Sequence, residues 1–145
     1  MSEASPLREI APVVVIDHRG RFLLQLRDDI PGVYFPGWIG LFGGHREADE
    51  SFLACAVREL NEELGCSLSA SHFEPFFSLT GPDPAVPGGT LRAEYFIVRN
   101  LVVEELRVSE GTLVVVAPDE LAQVEERLTP TVHVALTKYL KNQDS

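Results

Sequence analysis

Apolar and polar positions along this chain fall into two rhythms, one extended and one helical. Pro12 to Ile16 is an apolar, largely β-branched run, Asp17-His18-Arg19-Gly20 supplies turn residues, and Arg21 to Arg27 returns as a second strand, so the pair is predicted to form a hairpin. Asp28 to Gly40 breaks the rhythm with Pro and Gly around Tyr34, Phe35 and Trp38, and reads as an irregular aromatic loop before a short strand, Ile39 to Phe42. Farther along, Phe73 to Leu79 and Thr90 to Val98 have strand character, the latter alternating Leu91, Ala93, Tyr95 and Ile97 with Arg92, Glu94, Phe96 and Val98. Leu101 to Leu106 and Thr112 to Val116 continue the β pattern. Leu53, Ala56, Val57, Leu60 and Leu64 instead recur at helical spacing, with Gly65 as a left-handed residue ending that helix. Pro118-Asp119-Glu120 is predicted to open a helix to about Leu128. Thr129 as N-cap and Pro130 at the first helical position open another to about Lys141.

Helices at the middle and end with strands between them predict an α/β sandwich around a mixed sheet. The 145 residues, 45% of them hydrophobic, suffice for one domain, 1–145, and are too few for two. No internal repeat or linker divides the chain. Gly81 to Gly89, rich in Pro and Gly, is too long for a tight turn and reads either as a connector or as a lid over substrate.

Beside the apolar stripe of the central helix stand Glu59, Glu62 and Glu63. Related by i, i+3 and i+4, their carboxylates leave the helix on one side, where like charges repel. All-oxygen anionic side chains are the ligands that hard divalent cations prefer. The alternative is a solvated acidic face with Arg58 as a surface partner. The net charge of −10 disfavours nucleic-acid polymers and anionic membranes as partners, and a phosphorylated small molecule would need cations or local Arg and Lys to reverse the sign. The two cysteines, Cys55 and Cys66, suit neither a zinc site nor a disulfide framework and fit a reducing compartment. With no apolar leader at the N-terminus and no run of transmembrane length, the expected location is the cytoplasm.

Gly44, Glu50, Arg58, Glu59, Leu60, Glu62, Glu63 and Gly65 stand in register with the signature of the Nudix hydrolases, which this stretch resembles. Cys66 occupies a position where a bulky aliphatic residue is usual, and Phe42 replaces the usual Pro before the glycine pair. A buried thiol packs as a hydrophobe, so the first departure is mild. The resemblance implies a Nudix-type α/β/α sandwich with a mixed β-sheet. It also implies Mg²⁺ or Mn²⁺ on Glu59, Glu62, Glu63 and the Gly44 carbonyl, with Arg58 orienting Glu59 by a charge-assisted hydrogen bond. Gly43 and Gly44 can take positive φ and let backbone approach the site. Asp49 or Glu50 sits where the helix begins and could cap it; Glu50 reads equally as a metal-site or loop-fixing carboxylate.

The activity implied is hydrolysis of a nucleoside diphosphate linked to another moiety, by attack of water on a phosphorus of the pyrophosphate. Glu59 or a carboxylate from a distant loop, for which Glu110 is the candidate, would serve as base, though Glu110 also reads as a surface turn residue. Arg27 and Arg92 are candidate phosphate or base contacts, and Tyr34 and Phe35 candidate stacking groups. Trp38 is expected in the core and His45 as an exposed loop residue. Leu-Gln-Leu-Arg-Asp-Asp, Leu24 to Asp29, followed by Pro31 and Pro36 resembles members acting on nucleotide sugars or nucleoside triphosphates. Relatives often form homodimers, but no interface is legible here. Three readings stay open: a metal-dependent pyrophosphohydrolase, a nucleotide-sensing module without turnover, and an acidic-helix domain without ligand.

Overall fold

Strand β1, Leu7–Asp17, is buried from Ala11 to Asp17 and organises the fold. The computed structural model describes residues 6–143; the rest of the span 1–145, including most of the N-terminal stretch read above for a leader, lies outside the described residues. Six further strands are β2 Phe22–Leu26, β3 Ile39–Gly40, β4 Phe42–His45, β5 Glu74–Pro82, β6 Thr90–Leu101 and β7 Thr112–Val116. Helix α1, Phe52–Leu64, joins β4 to β5, and α2, Pro130–Gln143, follows β7. The strands form one mixed sheet in the order β3-β2-β1-β6-β5, with β4 also on β1 and β7 also on β2. Only β1 and β6 run parallel among these pairs.

Alternation along β1 divides the core into two layers, because successive side chains point to opposite faces of a strand. Ala11, Val13 and Val15 join Leu23, Phe42 and Phe96 under Cys55, Ala56, Leu60 and Leu64 of α1. Val14 and Ile16 join Phe22, Leu24 and Tyr95 under Val132, Ala135 and Leu136 of α2. The sandwich expected from the sequence is therefore present, with each helix pinned by its apolar stripe at about 1.5–3 kcal/mol per large side chain buried.

At Val14, β1 changes partner. Val15 and Ile16 pair with Leu23 and Phe22 of the hairpin, whereas Ile10 to Val13 pair with His45 to Phe42 of β4. The sheet forks there, and the short strand expected over Ile39 to Phe42 is split at Leu41 into β3, which follows β2, and β4, which follows β1.

Three other expectations are corrected. Ser51, not Asp49 or Glu50, caps α1: its hydroxyl accepts the Ala54 N–H at 3.0 Å. Leu101 to Leu106 is not a strand, because Asn100 takes a left-handed φ of 64° and Val103–Glu105 coils into a 3₁₀ turn. Pro118 to Leu128 is not an α-helix but two 3₁₀ turns, Pro118–Gln123 and Glu125–Arg127; neither contains a buried residue, so no wide apolar face holds a longer helix. Helix α2 does begin at Pro130, with the Thr129 carbonyl accepting the Val132 and His133 N–H groups. Among the described residues no helix is long and apolar enough to cross a membrane.

Gly65 ends α1 at φ 62°, and a Cβ there would lie 3.1 Å from the Arg107 Cβ. Gly65→Ala should therefore lose at least roughly 1–2 kcal/mol of unfolding free energy in urea titrations, from left-handed strain with the close Arg107 contact added to it. An unchanged midpoint would show that the helix end relaxes freely.

Candidate active site

The arm of the fork that carries β4 has no side chains where α1 approaches it. A Cβ on Gly43, whose φ is 123°, would lie 2.3 Å from the Ala11 carbonyl oxygen, and one on Gly44 would lie 2.4 Å from the Glu59 carboxyl carbon. Both glycines are thus required by contact. They let the acidic side of α1 come directly against bare backbone.

Glu63 sits deepest, only 4% exposed, with Oε1 accepting the Gly43 N–H at 2.9 Å. Among the described residues no cation forms an ion pair with it. Burial pushes its carboxyl up to about 8; Glu59 and Glu110 add repulsion, and the Gly43 N–H and Arg27 offset part of it. At neutral pH in the absence of ligands this carboxyl holds its proton.

Glu59 is fixed differently. Arg58 donates Nη1 to Glu59 Oε1 at 2.8 Å, while its Nε and Nη2 grip both oxygens of Glu50 at 2.7 and 2.8 Å. Arg58 holds the Glu50 carboxyl down to about 2, assisted by the Glu47 N–H, and is itself pushed further up by the two carboxylates. Glu50 is placed as a strut fixing Arg58 and the loop before α1. Glu62 is held more loosely: its side chain is 63% exposed and its Oε2 makes only a long ion pair with Arg58 Nη1, at 3.9 Å.

Gly44, Glu59, Glu63, Glu110, Arg27, Tyr34 and Phe35 line one cavity of about 320 Å³ between the arms of the fork. Arg58, Glu50 and Glu62 are not in its lining. Arg92 belongs to another surface, with its guanidinium 5.5 Å from the Phe52 ring centre and 3.7 Å from Glu9. His45, expected to be a bystander, lines the cavity. Trp38, expected in the core, is 42% exposed, because Ile39 and Leu41 take the core positions beside it. Glu110 is held through its carbonyl, which accepts from Gln25 Nε2 at 3.0 Å.

Sequence reasoning missed Arg8, which lines the cavity with Ile10 and Pro12 on one face of β1. Extending the period-two pattern upstream of Pro12 would have placed it there. Arg8, Arg27 and His45 line the opposite side of the cavity, where Arg8 is ion-paired with Asp83 and Arg27 carries the uncompensated positive charge. The His45 imidazole is pushed down by burial and then by those two arginines, and the half-buried Arg27 is likewise pushed down by burial and by Arg8. Arg27 has no carboxylate ion-pair partner among the described residues.

The donor set by the glycines fits a hard divalent cation in kind: Glu59, Glu63 and the Gly44 carbonyl offer only oxygen. The floor that a Cβ would fill and the unpaired buried Glu63 carboxyl are the observations behind that fit. Among the described residues, no three Asp, Glu, His or Cys side chains are already gathered as a metal cluster.

The model of the NUDIX domain matches residues 6–144. No curated protein matches the chain in sequence. Among solved structures, the chain is similar to the MutT protein from Methanosarcina mazei Go1, with a TM-score of 0.80, 19% identity and coverage of 99% of this chain and 100% of that one. It is similar to a MutT NUDIX hydrolase from Burkholderia pseudomallei, with a TM-score of 0.72, 27% identity and coverage of 92% and 98%. A bifunctional NMN adenylyltransferase/ADP ribose pyrophosphatase from Francisella tularensis, complexed with AMP and a Mn ion, matches with a TM-score of 0.76 and 18% identity, over 97% of this chain and 43% of that one. With the signature of α1 in register, the fold shared and the family model spanning nearly every residue, the chain belongs to the NUDIX domain family and is a Nudix hydrolase.

Proposed function

We propose that this chain is a metal-dependent pyrophosphohydrolase that cleaves a nucleoside diphosphate linked to another moiety, of the nucleoside triphosphate or nucleotide-sugar type. The observation that carries the reading is the buried Glu63 carboxyl, without an ion-pair partner among the described residues, on the acidic side of a cavity whose opposite side presents Arg27. The AMP and Mn ion in the Francisella relative support the same pairing of nucleotide and divalent cation.

Glu59, Glu63 and the Gly44 carbonyl would hold Mg²⁺ or Mn²⁺, with the exposed Glu62 able to swing in from the rim. When bound, such an ion neutralises phosphate charge and lowers the pKa of coordinated water. Arg58 aims Glu59 through its hydrogen bond, and Glu50 keeps Arg58 in place. Arg27, lacking a carboxylate partner, binds a phosphate oxygen, and Tyr34 and Phe35 flank the organic part of the substrate. Glu59 is already engaged by Arg58, which lowers its value as a base. Glu110 lines the cavity without an ion-pair partner among the described residues and is the better proton acceptor for the attacking water. In this reading the enzyme works in the cytoplasm, where Cys55 and Cys66 stay reduced.

Hydrolysis of a nucleotide panel with and without Mg²⁺ or Mn²⁺, with product identification by mass spectrometry, tests the reading. Release of a nucleoside monophosphate only when metal is present is expected; metal-independent turnover or none would oppose it. Glu63→Gln should cut turnover on the order of 100-fold or more, and Arg27→Ala should raise KM by about tenfold with a smaller effect on kcat.

The same residue yields a stability prediction of opposite sign. The Glu63 carboxyl rises from 4.5 in its ordinary state to about 8 in the fold. Between these values the unfolded chain has released a proton that the native chain keeps. Metal-free stability from this group is therefore complete below pH 4.5 and drains away as pH climbs to about 8. Glu63→Gln, which cannot ionise, should be more stable than the parent protein at pH 8 without metal, by a few kcal/mol at most. Equal thermal midpoints at pH 8 would contradict it.

A further inference from the structure

Arg8 is built into the cavity wall more firmly than a surface arginine. Its Nε and Nη2 donate to the two oxygens of Asp83 at 2.8 and 2.9 Å, and its guanidinium carbon lies 4.3 Å from the centre of the Tyr34 ring. Its Nη1 lies 3.4 Å from His45 Nε2. The Asp83 side chain is 1% exposed, and Arg8 holds its carboxyl below the usual range. Asp83 also orders the connector over Gly81 to Gly89: its Oδ1 accepts the Ala85 N–H at 2.9 Å, and its own N–H donates to the Gly89 carbonyl at 3.0 Å. The connector is thus a buttress behind Arg8, and Asp83 itself does not line the cavity.

The consequence is chemical. Asp83 neutralises Arg8, so this end of the cavity is a poor clamp for a free anion. What remains is a guanidinium held over the face of Tyr34, with the N–H groups at its edge that neither Asp83 nor His45 uses. A guanidinium offers donors only. Along β4, His45 stands two residues, about 7 Å, beyond the Gly43 backbone that holds Glu63, so Arg8 faces a part of the substrate farther along the cavity from Glu63.

We propose, resting on the pyrophosphohydrolase reading, that Arg8 is the specificity-determining residue for the nucleobase: held over the Tyr34 ring, its spare in-plane N–H groups meet the edge of the base and select an oxo group there over an amino group. An amino group facing those donors is left unsatisfied, whereas an oxo group accepts a charge-assisted hydrogen bond. Asp83 is the positioning residue that aims Arg8.

The test uses IMP and AMP, which differ at purine position 6, oxo against amino, and in the proton that the adjacent ring nitrogen carries only in IMP, titrated calorimetrically into the full chain in the presence of Mn²⁺. The parent protein should bind IMP about tenfold more tightly than AMP. That ratio should fall to about threefold or less in Arg8→Ala and also in Asp83→Asn, with both ligands still bound. Arg8→Ala strands the buried Asp83 carboxylate, so the double variant Arg8→Met with Asp83→Asn, which removes the donors and the charge together, is measured beside it and should lose the preference equally. No preference in the parent protein, an unchanged ratio in the folded variants, or no binding of either nucleotide overturns the proposal. Hydrolysis of ITP and ATP is read separately. Selective IMP binding without turnover of either triphosphate or of any nucleotide sugar in the panel contradicts the pyrophosphohydrolase reading and leaves the role of Arg8 standing, whereas turnover with no selectivity contradicts the role of Arg8 alone.

Discussion

Burying a carboxylate without a cation beside it is among the least favourable things a protein interior can do, and the fold is arranged around one such group. Glu63 lies on the same helix that supplies Leu60 and Leu64 to the core, so it cannot leave the interior without unseating α1. Among the described residues its carboxyl accepts a hydrogen bond from the Gly43 backbone alone, and the charges acting on it are other carboxylates and the half-buried Arg27. Such a position is tolerated by keeping the proton on. A divalent cation exchanges that proton for coordination, which links metal binding, pH and stability through one side chain.

The partner change of β1 at Val14 makes the room. Were β2 to stay paired along the whole of β1, the ground now occupied by β4 and its glycines would be filled by strand side chains. Instead the sheet opens between its arms, and α1 reaches through the side chain-free stretch from one layer toward a cavity lined by the other. Arg58 separates the roles of neighbouring glutamates, being locked to Glu50 on one side and aiming Glu59 on the other. Three glutamates that look equivalent in the sequence therefore differ in the fold: Glu63 is buried with its carboxyl pushed up by burial, Glu59 is fixed by Arg58, and Glu62 is exposed.

Much of this was legible in the residues. Period-two runs located the central strands, the stripe from Leu53 to Leu64 located α1, and the spacing from Gly44 to Gly65 located the acidic side of the site. What was not legible depended on long-range packing. The cap passed to Ser51 because Glu50 was taken by Arg58, eight residues away. The stretch after Pro118 stayed in 3₁₀ turns because no apolar face broad enough to anchor an α-helix accompanies its good N-terminal signals. Arg8 escaped notice since its value lies in Asp83, 75 positions along the chain, and in Tyr34, on a loop whose path no local rule sets. Arg92 looked equivalent to Arg27 as a strand cation but was carried by β6 to a flank beside Phe52.

The most direct measurement is the number of protons released when Mn²⁺ binds the nucleotide-free protein near pH 7, obtained by calorimetry in buffers of different ionisation enthalpy. With the Glu63 carboxyl poised at about 8, close to one proton should leave per ion bound, and none should leave from Glu63→Gln. Binding with no proton release, or release undiminished in that variant, would place the cation elsewhere and contradict the account.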